Sequence, residues 1–254
     1  MNIRFLGTGF GPLKAKKRNT KDFRRPASLL VDDSILIDIT DQTFSFAEDY
    51  GLSGLYQNVH TVLITQADAE RFSAEALLTL ASITKHLDVY ADISAIPKIP
   101  THPSIVSHAV RPNEIFDIQG AKAIALPTIH KSESGCPSVG YAICTKRSLL
   151  YLPDGGFLHP DAWELLKKLH FDHAILGCPS GDAPLGAATV TESNFQMAKI
   201  LRAIFVDAGM LTDSARCFLS AIPTDKKRSV HDALLALAKE ENFTVAYDGL
   251  YMNV

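Results

Sequence analysis

The stretch "LITQADAER", residues 63–71, joins the end of an apolar strand to a short polar turn. Side chains at strand ends are positioned by a rigid scaffold and often carry binding or catalytic groups. The polar residues of this turn are Gln66, Asp68, Glu70 and Arg71, and none of them is a histidine. The stretch therefore fits three interpretations: a metal site, a metal site that has lost its ligands, or an ordinary loop.

The composition around this stretch is typical of a cytoplasmic globular protein. The chain has 254 residues, 46% of them hydrophobic and 21% charged, and its net charge of −3 gives no global attraction to nucleic acid or to an anionic membrane. No apolar run approaches the roughly 18 residues of a membrane span, and no secretory signal is visible. The cysteines show no C-x-x-C pair, as expected of reduced thiols. We expect a single cytoplasmic domain over residues 1–254, with no membrane partner.

Hydrophobic periodicity on both sides of the turn predicts strands and helices. Upstream, residues 27–31 and 34–39 flank Asp32 and Asp33 as a hairpin. Downstream, apolar spacing predicts a helix over 73–87 with Ser73 as its N-cap, and then a strand at 88–91. Residues 95–130 are rich in proline and predict irregular structure, with short strands near 115–119 and 123–127. Further on, the pattern predicts strands at 138–144, 148–154, 173–177, 216–222 and 243–249, and helices at 160–170, 191–209 and 230–242. We therefore expect an α/β fold in which two sheets pack together with helices outside.

Three polar residues stand at the ends of predicted strands. Asp38 ends "ILID", His130 ends "AIALPTIH", and Asp154 ends "LLYLPD" just before two glycines. Propensity alone would not place polar groups at three such positions, and strand ends are where ligand groups collect. These three residues are therefore candidates for a common site.

The first strand runs into the glycine-rich segment "FLGTGFG", residues 5–11. A dinucleotide-binding loop needs a further glycine at the position of Pro12 and a helix that opens there. The sequence after Pro12 has no helical apolar stripe. The segment therefore favours a glycine turn over a nucleotide site.

The segment that follows is strongly basic. Between Lys14 and Arg25 it contains seven basic residues and one acidic residue. Lys16, Lys17 and Arg18 are candidate ligands for a small phosphate-bearing molecule, and the cluster leaves nucleic acid open as a partner. A solvated surface loop explains the same composition, so the loop identifies no ligand.

The order of these features resembles the metallo-β-lactamase superfamily. The matching segments are "LGTG", "ILID", "LITQADAER", "LPTIH", "GYAI" followed by "LLYLPD", and "AYDG" near the C-terminus. The similarity is to the phosphodiesterase branch, which includes cyclic phosphodiesterases of phosphonate breakdown and 3′ tRNA-processing endonucleases. It covers the whole chain and implies an αββα sandwich with a ligand cleft at one edge.

The chain departs from the metal-binding motifs of this family. The family motif T-H-x-H-x-D-H, which binds two zinc ions, matches Thr65 to Arg71, where every histidine is absent and Glu70 replaces the aspartate. The late "LTH" motif matches "LSA", which puts Ala221 at the position of a ligand histidine. The resemblance retains His130, the bridging Asp154, and Asp38 as a supporting group.

The chemistry of these departures favours a largely dismantled dinuclear site. Gln66 is a poor zinc ligand, Ala221 provides no donor, and Arg71 is a permanent cation that would repel a metal ion. We expect Arg71 to pair with Asp154, Asp68 or Glu70. The protein would then be a weak or inactive phosphodiesterase without a cofactor, and a candidate binder of a phosphate-bearing ligand.

The alternative is an active metal-dependent hydrolase with a rebuilt, carboxylate-rich site. His130, Asp154, Asp68 and Glu70 would hold one divalent ion, with Mn²⁺, Fe²⁺ or Mg²⁺ suited better than Zn²⁺. Both interpretations place His130 and Asp154 together, Asp38 nearby, and the basic loop at the rim. The sequence leaves enzymatic activity and the formation of a homodimer open.

Overall fold

The computed structural model of the chain describes residues 1–11, 13, 20–131, 137–154, 157–184, 193–224 and 231–253. The strands in chain order are β1 (Asn2–Gly7), β2 (Gly9–Phe10), β3 (Ser28–Val31), β4 (Ile35–Ile37), β5 (Thr61–Leu63), β6 (Leu87–Asp92), β7 (Ile105–Val110), β8 (Ile115–Ile118), β9 (Ala121–Lys131), β10 (Pro137–Cys144), β11 (Ser148–Leu152), β12 (Phe171–Gly177), β13 (Leu211–Ser220), β14 (Ile222–Pro223), β15 (Phe243–Val245) and β16 (Tyr251–Asn253). The helices are α1 (Gln42–Asp49), α2 (Ala74–Ile83), α3 (Pro160–Leu166), α4 (Phe195–Asp207) and α5 (His231–Glu240), and one 3₁₀ turn spans Ile96–Lys98.

Most of these strands form two seven-stranded sheets. The first has the order β16-β1-β3-β4-β5-β6-β7, and the second has the order β15-β13-β12-β11-β10-β9-β8. In the first sheet the strands from β4 to β7 are parallel. In the second, β10 is antiparallel to both β9 and β11. Consequently β9 and β11 run in the same direction, and their ends lie at the same edge of the sheet.

Three hydrophobic clusters show how the layers pack. One cluster joins the inner faces of the two sheets, with Phe5, Tyr141 and Phe218 among its buried members. A second lies between α1, α2 and the first sheet, and a third lies between α3, α4, α5 and the second sheet. The layers therefore follow the order helix, sheet, sheet, helix, and the α/β sandwich predicted from the sequence is confirmed.

The structure also contains elements that the sequence patterns did not predict. Helix α1 has only eight residues, buries only Thr43 and Phe46, and its N-cap residue makes no side-chain cap bond, so the sequence carries little signal of where it begins. Strand β7 lies inside the proline-rich region predicted to be irregular, and β16 follows the predicted closing strand. The helix predicted over 73–87 ends at Ile83, and β6 begins at Leu87. Ser73 caps this helix by accepting a hydrogen bond from the backbone N–H of Ala76.

Within the described parts of the chain, no helix combines the length and apolar character needed to cross a membrane.

Candidate functional site

The strand-end residues predicted from the sequence lie at one edge of the sandwich. Asp38 directly follows β4, and residues 64–73 follow the neighbouring parallel strand β5. In the second sheet, His130 lies near the end of β9, and Asp154 follows β11. The backbone N–H of Val139 donates to the carbonyl oxygen of Thr65 over 2.8 Å and joins the two sheets at this edge.

The centre of the site is a buried ion pair between Arg71 and Asp154. The Nη2 atom of Arg71 lies 2.5 Å from Oδ1 of Asp154, and each side chain is only 1% exposed. The other carboxylate oxygen of Asp154 accepts a hydrogen bond of 2.7 Å from the hydroxyl of Ser138. Burial alone would raise the pKa of the Asp154 carboxyl, but Arg71, the Ser138 hydroxyl and nearby His130 hold it below its ordinary value. Asp154 is therefore ionised, and each of its two carboxylate oxygens has a partner, Arg71 for one and Ser138 for the other.

The remainder of the Arg71 guanidinium is enclosed by the fold. Its Nη1 atom donates to the carbonyl oxygen of Ala27 over 3.3 Å, and within the described residues its Nε atom has no hydrogen-bond partner. Burial would lower the pKa of Arg71, but the charges of Asp154 and Asp38 raise it above its ordinary value. The guanidinium is thus a permanent buried cation directly on Asp154, and this is the pairing expected from the sequence.

Asp38 supports the same edge from the first sheet. It is fully buried, and it accepts hydrogen bonds from the backbone N–H of Thr65, at 2.8 Å, and from the Thr65 hydroxyl, at 2.7 Å to Oδ2. Its backbone is left-handed, with φ of 61°, a conformation that aspartate tolerates better than most residues. Burial raises the pKa of Asp38 to about 7, against the opposing effects of Arg71 and the Thr65 bonds.

The raised pKa of Asp38 predicts a pH-dependent stability that Asp38→Asn should remove. The folded carboxyl titrates near 7 and the ordinary value is 3.8. The fold therefore binds the proton more tightly than the unfolded chain, and this stabilisation is full below pH 4 and lost as the pH rises through 7. Each unit of pKa shift corresponds to about 1.4 kcal/mol of unfolding free energy. Asp38→Asn should therefore be more stable than wild type by roughly 4 kcal/mol at pH 8, whereas the two proteins should have nearly equal stability at pH 4.

Urea unfolding of both proteins between pH 4 and pH 8 would measure this difference. The matched control is Asp33→Asn, because Asp33 also has a left-handed backbone, with φ of 55°, but lies in the hairpin turn. A constant difference in unfolding free energy between wild type and Asp38→Asn across this range would contradict the assignment.

Gln66 and Ala221 occupy two further positions at which the family resemblance implies ligand histidines, and neither side chain can act as an imidazole ligand. Gln66 is 4% exposed, and within the described structure its side-chain carbonyl oxygen accepts no hydrogen bond. Ala221 lies between β13 and β14, is fully buried and has φ of 49°. A left-handed alanine is uncommon, whereas histidine is several-fold enriched in this conformation. The backbone at position 221 therefore has a conformation that histidine adopts more readily than alanine does.

The four candidate ligands of the rebuilt site are not gathered into one group. Asp68 lies 3.8 Å from the Nζ atom of Lys98, Asp154 is paired with Arg71, and Glu70 is partly buried on the same turn. Among the residues that the structure describes, no three His, Cys, Asp or Glu side chains are arranged to hold a metal ion. His130, partly buried, lies near enough to Asp154 to affect its pKa.

The residues present do not fit the dinuclear zinc centre that the family resemblance implies. A catalytic zinc ion generally needs three protein ligands from imidazole, thiolate or carboxylate groups. Here a buried guanidinium contacts the carboxylate matched to the bridging ligand, and Ala221 has no donor atom. A dication beside Arg71 would also meet direct charge repulsion.

The centre of the basic loop lies outside the described residues, and this includes Lys16, Lys17 and Arg18. Its end is described, and there the cations have structural partners. Arg25 pairs with Asp49 and Asp248, and Arg24 donates to the Thr8 hydroxyl and to the carbonyl oxygen of Ala246, each over 2.7 Å. Both arginines are 3% exposed. They therefore anchor the loop to the "AYDG" segment, a role that the sequence analysis did not assign.

Comparison with known proteins supports the fold. The sequence matches no protein-family model, and no curated protein is matched by it either. Its structure is similar to the metallo-β-lactamase fold protein YhfI of Bacillus subtilis, with a TM-score of 0.74, 16% identity, and coverage of 99% of this chain and 98% of that one. It is similar to the short form of human tRNase Z, with a TM-score of 0.71, 17% identity, and coverage of 100% and 99%. It is also similar to Zn²⁺-bound PqqB of Methylobacterium extorquens, with a TM-score of 0.71, 17% identity and full coverage of both chains. Together with the two packed sheets and their outer helices, these similarities show that the chain has the metallo-β-lactamase fold.

Proposed function

We propose that this protein uses the metallo-β-lactamase fold as a binding scaffold, and that it is weak or inactive as a metal-dependent phosphodiesterase. The buried pair of Arg71 and Asp154 carries this proposal. A metal hydroxide is the nucleophile that makes phosphodiester hydrolysis feasible at neutral pH in enzymes of this kind. In this chain Arg71, rather than a metal ion, neutralises the carboxylate of Asp154, and Ala221 provides no donor atom for a metal.

Metal analysis and a hydrolysis assay test the inactive centre. Protein purified without chelator should contain well below one transition-metal ion per chain, and it should not hydrolyse bis(p-nitrophenyl) phosphate faster than background with Zn²⁺, Mn²⁺, Fe²⁺ or Mg²⁺ added. Stoichiometric metal together with hydrolysis that is lost in Asp154→Asn would overturn the proposal. That outcome would favour the active hydrolase with a carboxylate-rich site formed by His130, Asp154, Asp68 and Glu70.

The ligand that we propose for the scaffold is a small phosphate-bearing molecule. Three observations support it: the basic composition of the loop, the anchoring of its end by Arg24 and Arg25, and the structural similarity to a tRNase Z. The anchored end of the loop is at Arg25. Two residues further on, the carbonyl oxygen of Ala27 accepts a hydrogen bond from Arg71. The loop therefore ends close to the Arg71 and Asp154 pair.

The triple variant Lys16→Ala, Lys17→Ala, Arg18→Ala should weaken the binding of a nucleoside monophosphate at least about tenfold in a calorimetric titration. Loss of even one hydrogen bond to a charged group is worth about 1.5–3 kcal/mol. The matched control replaces three exposed lysines elsewhere, Lys146, Lys168 and Lys239, and should leave the affinity unchanged. Equal affinity in both triple variants would remove the loop from the ligand site. If wild type binds no nucleoside monophosphate, the ligand proposal fails while the metal proposal stands.

A further inference from the structure

Strand β12 contains a buried histidine, His173, whose ring has no hydrogen-bond partner. Ala174 and Leu176 on this strand face the outer helices, whereas Ile175 belongs to the cluster between the two sheets. Strand alternation therefore places His173 on the inner face with Ile175. His173 is 1% exposed, and within the described structure neither of its ring nitrogens makes a hydrogen bond. Buried polar atoms nearly always have partners, so this ring is exceptional.

The immediate neighbours of the His173 ring are apolar. His173 lies beside Leu149 of β11 in the parallel register of the second sheet. Phe218 of β13 places its ring centroid 6.5 Å from that of His173, at an interplanar angle of 55°. Both neighbours belong to the inter-sheet cluster. A leucine at position 173 would bury no unpartnered nitrogen, whereas a histidine adds the ability to take up a proton near neutral pH.

The cations around His173 oppose its protonation. Arg216 lies beside it on β13, Arg147 precedes β11, and the amino group of Met1 precedes β1 in the facing sheet. All three act against a further positive charge on the ring. Burial, together with these cations, lowers the pKa of His173 to about 4.

Among the described residues, Asp172 is the carboxylate that acts on His173 in the opposite sense. Its Oδ1 atom accepts a hydrogen bond from Arg147 and its Oδ2 atom accepts one from the backbone N–H of Ser148, each over 2.9 Å. As the adjacent residue of the same strand, Asp172 also points to the opposite face of the sheet. It therefore offers no acceptor to a protonated His173 ring.

We propose that His173 is an acid-sensitive switch, and that proton uptake by its ring separates the two sheets beside β12. A protonated imidazole has N–H donors on both nitrogens, and the described part of the core provides an acceptor for neither. Water reaches these donors only when the packing against Leu149 and Phe218 opens. The core therefore remains packed around the neutral ring and opens around the charged one.

The switch lies away from the Arg71 and Asp154 pair. His173 is in register with Leu149, near the start of β11, whereas Asp154 follows the end of that strand. The inference therefore does not depend on the metal site or on the proposed ligand.

Protonation of His173 should destabilise the fold in acid. Its ordinary pKa is 6.5 and its pKa in the fold is about 4, so its contribution to stability is full above pH 6.5 and is lost as the pH falls toward 4. Relative to a protein without a titrating group at this position, the unfolding equilibrium constant should rise about a hundredfold between pH 7 and pH 4. Asp38 has the opposite pH dependence, but it is present in both proteins and cancels in the comparison.

Urea unfolding of wild type and His173→Leu at pH 4, 5, 6 and 7 tests the proposal. The ratio of the wild-type unfolding constant to that of the variant should rise about a hundredfold from pH 7 to pH 4. The matched control is His159→Leu, which removes a histidine that is 56% exposed at the start of α3. For this control the ratio should be nearly the same at every pH.

Two further measurements follow the ring and the opening directly. In an NMR titration of wild type, the assigned His173 ring signals should show a neutral ring at pH 5, and this result does not require the variant to fold. At pH 4, 8-anilinonaphthalene-1-sulfonate should bind more strongly to wild type than to His173→Leu, because this dye reports exposed apolar surface.

A ratio of unfolding constants that does not change with pH would overturn the proposal. A charged His173 ring in the folded protein at pH 5 would overturn it as well, as would equal dye binding by wild type and variant at pH 4. The test is independent of the proposed function, because it involves neither metal nor phosphate.

Discussion

Replacing Arg71 with methionine is expected to lower the free energy of unfolding by about 3–5 kcal/mol at neutral pH. Removal of one partner from a buried ion pair leaves the other as an uncompensated buried charge, and the cost has this magnitude. Asp154 is 1% exposed, so water cannot solvate it in place of the guanidinium. Its pKa should rise well above the ordinary value, because burial would then be opposed only by Ser138 and His130. Urea denaturation of wild type and variant measures the loss.

The matched control for this experiment is the double variant Arg71→Met, Asp154→Asn. Removal of both charges leaves no isolated ion, so the double variant should be more stable than Arg71→Met alone. The side-chain carbonyl of the introduced asparagine would still accept the hydrogen bond from Ser138. If the double variant were as unstable as the sum of the two single variants, the two charges would not be energetically coupled and the central claim about this site would be wrong.

The variant Gln66→His, Asp68→His, Arg71→His is expected to bind zinc where wild type does not. The three changes add imidazole donors and remove the guanidinium, which frees Asp154 to act as a ligand. Structural zinc sites reach about 10–16 kcal/mol, so even a site with imperfect geometry, worth about 8 kcal/mol, would have a Kd near about 1 µM. Zinc should therefore remain with the variant through desalting.

A control with alanine at the same three positions distinguishes the effect of the added imidazole donors from the effect of removing the native side chains. It removes the same groups and frees Asp154 equally, but adds no imidazole. Zinc retained by both variants would mean that His130, Asp154 and Glu70 suffice once Arg71 is removed, and that the introduced imidazoles are not needed. Zinc retained by neither would mean that the backbone of this turn no longer has the ligand geometry. Hydrolysis is not expected without the further change Ala221→His.

The αββα architecture could be predicted because it depends on local periodicity and on the order of short motifs. Strands β4 and β11 are short apolar runs, and Asp38 and Asp154 follow them within two residues, whereas His130 lies within the last residues of the longer strand β9. The pairing of Arg71 with Asp154 could be predicted from charge, since a buried carboxylate without a metal needs a cation. Strand β7 could not, because the prolines on both sides of it suggest irregular structure.

The parts of the site that could not be predicted depend on contacts between distant segments. Lys98 lies beside Asp68 from a proline-rich region about thirty residues away, and nothing in its local pattern identifies that partner. Arg25 and Asp248 are separated by 223 residues. A single sequence gives the charges of such residues but not their pairing, and the composition of the loop does not distinguish the anchoring Arg24 and Arg25 from its other cations.

The cation at the centre of this fold belongs to the chain itself, and this changes how the protein comes to its native state. Where a bound metal balances the charge of a cleft, the free energy of metal binding contributes to the free energy of folding, and stability then depends on metal supply. In this protein Arg71 is synthesised together with Asp154, so charge balance is available as soon as the two sheets pack. Refolding should therefore give the same yield and rate in a chelator as in a zinc buffer, and the shape of this edge should persist in a cell that is starved of metal.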